Sequence, residues 1–303
     1  SEYAARTIRK KVWKHRDDFM KGLSAKTPGK DGTRVAPKGI RPDSVESLLE
    51  HLNQEVVEPV SKFLKGGTSE AQKHFKTFLK KQAENYAEDR NAPEKSSTSR
   101  MSPYLHMGMI SPVWLIQQAE KRMTPEDADA FVEELLVRRE LSHNFTHFND
   151  DYDKLKCFLP DWALETLEEH KNDERPHRYS RRELEEGKTH DGYWNAAMKE
   201  LRETGYMHNY MRMYWGKKIL EWSNTPQYAF KTALYLNNRY FLDGRDANSF
   251  ANVGWIFGLH DRAWQEREVY GKVRTMKASG LERKTDMPAY QKKVDQRAEA
   301  LNR

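Results

Sequence analysis

The sequence predicts an all-α fold, and three observations carry that prediction. From Ser44 onward, apolar residues recur three and four apart over successive runs. Several of these runs open on residues that favour a helix start. No stretch sustains the apolar–polar alternation of a half-buried strand.

Residues 1–21 are basic and fit a helix. Residues 22–43 (GLSAKTPGKDGTRVAPKGIRPD) are rich in Gly, Pro and Lys, lack periodicity, and read as a linker or exposed loop. Ser44 is placed to cap a helix whose stripe is Val45, Leu48, Leu49, Leu52, Val56, Val60 and Phe63, stopped by Gly66-Gly67. Ser69 with Gln72 has the pattern of a capping box. It would open a helix through Phe75, Phe78, Leu79 and Tyr86 that ends near Asn91-Ala92-Pro93. Thr124-Pro125-Glu126-Asp127 combines a cap, a Pro at the first helical position and acids in the first turn, leading into Phe131, Leu135 and Leu136. Further helices are expected at 160–170, 181–188, 192–204, 206–222 and 225–238. The chain shows no internal repeat and no low-complexity tract.

The bulk numbers exclude some function classes. At 303 residues the chain can bury a real core. Mean hydropathy is low, −0.98, but 11% aromatic content offsets it, because a buried Trp or Phe removes much apolar area from water. A net charge of +6 raises the odds of a polyanionic partner only slightly. The single cysteine, Cys157, excludes an intramolecular disulfide framework and a thiolate metal cluster, and no metal site is expected. No signal-peptide pattern and no apolar run of membrane-spanning length are present. The expectation is a soluble monomer, cytoplasmic or otherwise intracellular, with no membrane contact. Neither GxGxxG nor a P-loop occurs, so a nucleotide cofactor would need another kind of cradle.

Five stretches could carry chemistry. In SSTSRMSPYLHMGMIS (96–111), short hydroxyls surround Arg100 before an apolar run. This suits a phosphate, although by itself a Ser-rich loop that merely caps a helix is the better reading. In EELLVRRELSHNF (133–145), Glu134 and Arg138 stand one turn apart, so an exposed i,i+4 pair is the default; with Arg139 and Asn144 they could also line a pocket. In MHNYMRMYWGKKILEW (207–222), Trp215 and Trp222 fall on one helix face about 10 Å apart along its axis. Trp194 begins the preceding helix and could pack between or beside them. A Trp stripe is usually core, yet indoles so spaced also permit electron hopping. In YLNNRYFLDGRDANSF (235–250), Asn237 ends a helix and Asp243-Gly244-Arg245-Asp246 makes a tight turn, with Asp243 a candidate partner for a buried Arg212. Residues 252–284 interleave Trp255 and Trp264 with Arg262, Arg267, Lys272 and Arg274, a pattern that suits unstacked nucleic acid or a solvated basic face.

The order of these stretches adds what none shows alone. TSRMSPYLHMGMIS, EELLVRRELSHNF, THDGYWNAAMKEL, TGYMHNYMRMYWGKKILEW, YLNNRYFLDGRD and GLHDRAWQERE…GKVR succeed one another between about residues 70 and 285. This succession resembles the FAD-binding catalytic domain of class II cyclobutane pyrimidine dimer photolyases, in the photolyase/cryptochrome superfamily. The resemblance implies a helical FAD-binding domain over 44–303, following the basic helix and linker of 1–43. It also implies non-covalent FAD, DNA containing pyrimidine dimers as partner, and light-driven repair by electron transfer from reduced FAD.

It implies roles residue by residue. Thr98, Ser99, Arg100, Met101 and Ser102 would hold the FAD diphosphate, with Tyr86 nearby. Arg139 and Asn144 match positions lining the flavin pocket. Arg212 and Asp243 match the ion pair beside the ring system, with Asp246 on the same wall and Asn237 facing flavin N5. Trp215, Trp194 and Trp222 match the family's tryptophan relay. Glu134 matches the acid that hydrogen-bonds the dimer, and neighbouring Glu133 could take its register. Arg90 and Asn91 match the pair that fills the gap left by an extruded lesion, while Met213 and Trp255 match residues packed against it. Lys272 and Arg274 belong to the basic rim.

The sequence departs from the pattern in places. Asn209 stands where class II proteins usually have Gly, close to the flavin. The family's aromatic-rich segment at this point is altered to GKVRTMKASGLERK, which could reshape the lesion rim, and SHNFTHF replaces a more aromatic stretch. Only about 70 residues precede the matching region and they carry no parallel-sheet pattern. The expectation is therefore an antenna-less form lacking the N-terminal α/β domain. The changed rim and that shortness motivate a second reading, a cryptochrome-like light-sensing flavoprotein; a third is a flavoenzyme that reuses the pocket for a non-DNA substrate.

Overall fold

The structure, a computed structural model, describes residues 1–21, 39, 43–53, 60 and 62–302. Its helices are α1 (Ala5–Phe19), α2 (Val45–Leu52), α3 (Thr68–Lys81), α4 (Tyr86–Asp89), α5 (Ser102–His106), α6 (Pro112–Arg122) and α7 (Pro125–Val132). A π-helical segment, Glu133–Arg138, runs without a break into α8 (Arg139–His147). Then come α9 (Leu155–Phe158), α10 (Asp161–Glu169), α11 (Arg181–Glu186), α12 (Gly192–Thr204), α13 (Asn209–Trp222) and α14 (Pro226–Tyr240). The last are α15 (Ala247–Ile256), α16 (Ala278–Glu282) and α17 (Met287–Asn302). Among the described residues the only β pairing is an isolated bridge, Arg267 to Gly271. The fold is all-α, as the periodicity predicts.

The molecule is built around α13, which buries residues on every side: Met211, Tyr214, Trp215, Lys217, Ile219, Leu220 and Trp222. Helices α12, α14 and α15 pack against it, and α17 packs against α12. Close packing needs Gly216, since a Cβ there would sit 2.1 Å from Ile256 Cδ1 and 2.7 Å from its Cγ1. A second cluster gathers Phe75, Phe78, Tyr86, Tyr104, Leu115 and Phe131 from α3 to α7. α1 closes a third, with Ile8 on Val137 and Leu141. Arg9 clamps Glu133 through two hydrogen bonds.

Several helix starts form as expected: Ser44 and Thr124 accept the N–H groups of Ser47 and Asp127. Four details differ. The helix opened by Ser44 closes after one buried-face-free stretch, at Asn53 in left-handed conformation; Phe63 lies in a separate turn and Val56 outside the described residues. Ser69 is inside α3, whose cap is Gly67, so no Ser69–Gln72 capping box forms. The run toward Asn91 breaks at Lys81 and restarts after Asn85, again left-handed, putting Tyr86 on α4. α14 continues to Tyr240, which leaves Asn237 within its last turn and not at its end.

The π-helical segment corrects the expected Glu134–Arg138 pair. With five-residue spacing, Arg138 meets Glu133 at 3.2 Å. Glu134 is turned instead toward α4, where Arg90 Nη1 donates to it at 2.7 Å.

Candidate functional site

At the centre, Arg212 donates from Nη1 and Nη2 to the two carboxylate oxygens of Asp243, at 2.9 and 3.0 Å, and from Nε to the Met207 carbonyl at 2.9 Å. Its guanidinium lies 4.1 Å above the Phe241 ring. A planar fork held this way has one geometry. The turn that presents Asp243 depends on Gly244, where a Cβ would meet the carbonyl oxygens of Asn237 and Phe241 at 2.8 and 2.9 Å. Asn237 is buried beside it and donates to Asn238, which in turn accepts the Arg245 N–H. Asp246 caps α15 and meets His106 Nδ1 at 3.1 Å. Burial pushes the Asp246 pKa up, but the Asn248 amide and His106 together outweigh it and leave it lowered.

The loop of residues 98–102 reaches the same region. Thr98 Oγ1 and Tyr206 OH are 3.1 Å apart. Arg100, in left-handed conformation, sits over the rings of Phe63 and Tyr206. Ser99 presents its backbone to His74, Met101 is buried, and Ser102 begins α5. Behind the loop lies a polar cluster absent from the sequence expectations. Glu200, 2% exposed, accepts from Tyr290 and Arg297, both at 2.8 Å. His208 is buried, and desolvation, with Lys293, Arg212 and Arg100 nearby, pulls its pKa down to about 3. Burial and then the charge of Arg297 lower the Arg100 pKa. Apart from the Arg212–Asp243 pair, three cations (Arg100, Lys293, Arg297) therefore gather near two carboxylates, Glu200 and Glu94, leaving one positive charge in excess. Arg100 Nε and His208 Nε2 are buried with no hydrogen-bond partner. Excess positive charge and orphaned nitrogen atoms beside a hydroxyl-bearing loop suit an anion with several oxygens.

The three tryptophans form one chain. Trp194 lies parallel to Trp215, interplanar angle 7° and centroids 6.5 Å apart, and edge-on to Trp222 at 5.6 Å. Trp194 therefore bridges the two indoles of α13. It is fixed by donating Nε1–H to the Trp215 carbonyl at 3.0 Å. Phe241, under Arg212, touches Trp215 at 6.1 Å. At the other end, Trp222 touches Tyr179 and exposed His190, both at 5.3 Å. Trp215 Nε1 is buried without an acceptor, an N–H left for a ligand.

Other expected residues lie on a rim. Trp255 is half-buried between Lys217 Nζ at 4.6 Å and Arg274 Cζ at 5.7 Å. Arg274 also covers exposed Trp264 at 4.1 Å, and Asp261 holds both Arg274 and the Trp264 indole N–H. Asn91 joins Glu88, Ala92, Tyr210, Lys284 and Thr285 in lining a surface concavity, and Met213 is half-buried on α13. Tyr86 stacks edge-on to Phe78 and Phe131; burial, then Glu134, pushes its pKa up to about 12. Three expected cofactor residues are engaged differently. Asn144 accepts the backbone N–H of Glu2, Arg139 pairs with Glu140, and Asn209 is exposed at the start of α13. Lys272 is exposed near Glu266.

No protein-family model matches the chain. Curated sequences do. A deoxyribodipyrimidine photo-lyase of Methanothermobacter thermautotrophicus is 48% identical over 95% of this chain and 63% of its own length. Those of Oryza sativa and Potorous tridactylus are 40% and 39% identical over 95% and 97% of this chain, and 58% and 55% of their own lengths. The chain thus spans about three-fifths of the length of these relatives. Among solved structures, a class III photolyase from Agrobacterium tumefaciens superposes with TM-score 0.57 at 19% identity, over 89% of this chain and 62% of that one. An archaeal photolyase from Sulfolobus tokodaii with two FAD molecules gives 0.56 at 18%, over 82% and 50%. Over nearly its whole length the chain is similar to curated photo-lyases. The similarity extends beyond the 70–285 window of the ordered motifs, and it covers most of the residues before it. The helical fold is the one these superfamily structures share. Among the described residues no helix is long and apolar enough to cross a membrane.

Proposed function

We propose that this chain is the FAD-binding part of a light-driven DNA photolyase of the class II kind, which reverses cyclobutane pyrimidine dimers. One observation carries the reading above the others: an unbroken line of ring contacts from Phe241, beneath the Arg212–Asp243 pair, through Trp215 and Trp194 to Trp222. A core needs aromatic rings; it does not need them as a file leading from a fixed ion pair toward the surface. The 39–48% identity to curated photo-lyases supports the same reading.

The residues present fit FAD. Thr98, Arg100 and the cations behind them would take the diphosphate, and the unpartnered N–H of Trp215 and amide of Asn237 would border the ring system. When bound and reduced, FAD supplies a light-excitable electron donor. Arg212, fixed by Asp243, would present constant positive charge to one side of the ring. The indoles would refill the site with electrons from the surface. Arg90 keeps the Glu134 carboxylate aimed near the rim, where it would accept a hydrogen bond from the lesion once Arg90 and Asn91 enter the gap in the duplex. Trp255, braced by Lys217 and Arg274, would be a flat apolar wall for two stacked pyrimidines, and the basic rim would grip flanking phosphates.

The test is an absorption spectrum of purified protein before and after blue light with reductant. Bands of bound oxidised flavin that bleach on illumination are expected, and bleaching is slowed in Trp194→Phe. A protein that takes up no flavin sinks the reading. Photoreduction with no affinity for damaged DNA would favour a light-sensing flavoprotein of the cryptochrome kind.

A further inference from the structure

α17 lies outside the motifs that carry the resemblance, yet it holds the segment that enters the cofactor loop and shares a ring with Arg100 of that loop. Lys293 donates to the carbonyl oxygens of Pro93 and Lys95, in the segment that leads into Thr98 and Arg100. One turn on, Arg297 donates to Glu200 at 2.8 Å, and the second Glu200 oxygen accepts from Tyr290 at 2.8 Å and from the backbone N–H of His208 at 3.4 Å. Arg297 and Arg100 both lie over the Phe63 ring, at 5.3 and 5.5 Å. The helix therefore fixes the segment leading into the loop and supplies positive charge beside Arg100.

Two like charges over one ring repel, and a buried cation beside unpartnered donors is costly without an anion. A bound diphosphate would relieve both strains, so the ligand and the α17 contacts stabilise each other. We propose that α17 is a latch on the cofactor loop, with Lys293 and Arg297 as positioning residues that set how long a diphosphate-bearing dinucleotide stays bound. This rests on the reading of the loop as the FAD diphosphate site.

The experiment loads the whole protein with FAD, dilutes it, and follows release by the rise in flavin fluorescence. Each of Lys293→Met and Arg297→Met should release FAD about tenfold faster, as loss of one charge-assisted hydrogen bond implies. Lys293→Arg and Arg297→Lys should recover most of the retention. Arg297→Met also leaves the buried Glu200 carboxylate without its cation, so its FAD-free thermal midpoint should fall, while Arg297→Lys should keep both midpoint and retention. The FAD-free midpoint of Lys293→Met should stay near wild type, because a purely structural helix contact would shift that and not the release rate. Wild-type release rates in both Met variants overturn the latch while leaving the FAD site standing, and so does faster release that the charge-preserving variants fail to slow. A wild-type chain that takes up no FAD overturns the loop reading and the latch with it.

Discussion

Lys217 takes its ammonium group fully into the core, donating to the Ile256 carbonyl beneath Trp255. Burial pulls its pKa down to about 7, with Asp261 resisting and Arg274 assisting. In the unfolded chain the same group keeps its ordinary value of 10.5. Between those values the unfolded state binds more protons, so this residue's contribution to stability grows as pH rises from 7 toward 10.5 and is lost as pH falls to 7. Thermal midpoints of wild type and Lys217→Met, taken across that range, should diverge in favour of wild type; a constant difference would contradict the assignment. Asp243→Asn should destabilise the protein by about 3 kcal/mol, the low end for breaking a buried pair, because Arg212 keeps 25% of its side chain exposed. Denaturant midpoints measure this, and weaker flavin retention should accompany it. The sequence made Arg212–Asp243 legible, since a buried arginine needs a carboxylate. It left Lys217, Glu200 and His208 silent, because nothing in a residue's own type says that tertiary packing will bury its charge.

Helix α13 is where spacing and packing agree. Seven-residue separation put Trp215 and Trp222 on one face, and Trp194 at the start of α12 fills the space between. Trp194→Phe should slow photoreduction about tenfold or more, equivalent to at least ~1.4 kcal/mol of barrier, with flavin content unchanged; unaltered kinetics would remove Trp194 from the relay. Gly216→Ala should gain the ~1 kcal/mol of helix propensity yet lose more than that to a Cβ driven into Ile256, for a net cost of about 1–2 kcal/mol. A stabilised variant would show that α15 can shift away. The π-helical segment marks the limit of spacing arguments. A 3.6-residue period pairs Glu134 with Arg138, and only the wider turn hands Arg138 to Glu133 and frees Glu134 for Arg90. The helix end set by Asn53 and the helix start set by Asn85 were equally hard to read, because a left-handed Asn turns the chain without the signature of Gly.

Across the whole molecule there are two large apolar clusters, one around α12–α15 and one around α3–α7; the cofactor loop belongs to the second through Met101 and reaches Tyr206, ahead of α13, through Thr98. The proposed pocket draws residues from both, from Thr98 and Arg100 to Arg212 and Asn237. The all-α class and most helices from 160 to 240 were legible because long apolar periods leave few alternatives. The polar clamp of α17 was not, since it depends on which helices become neighbours. Light-dependent loss of cyclobutane thymine dimers from an ultraviolet-treated oligonucleotide, incubated with the reduced, FAD-loaded protein, is the most direct test of the proposed chemistry. Dimers should disappear under blue light and persist in the dark. Dimers left intact under illumination, with flavin bound and reduced, would contradict assignment as a photolyase.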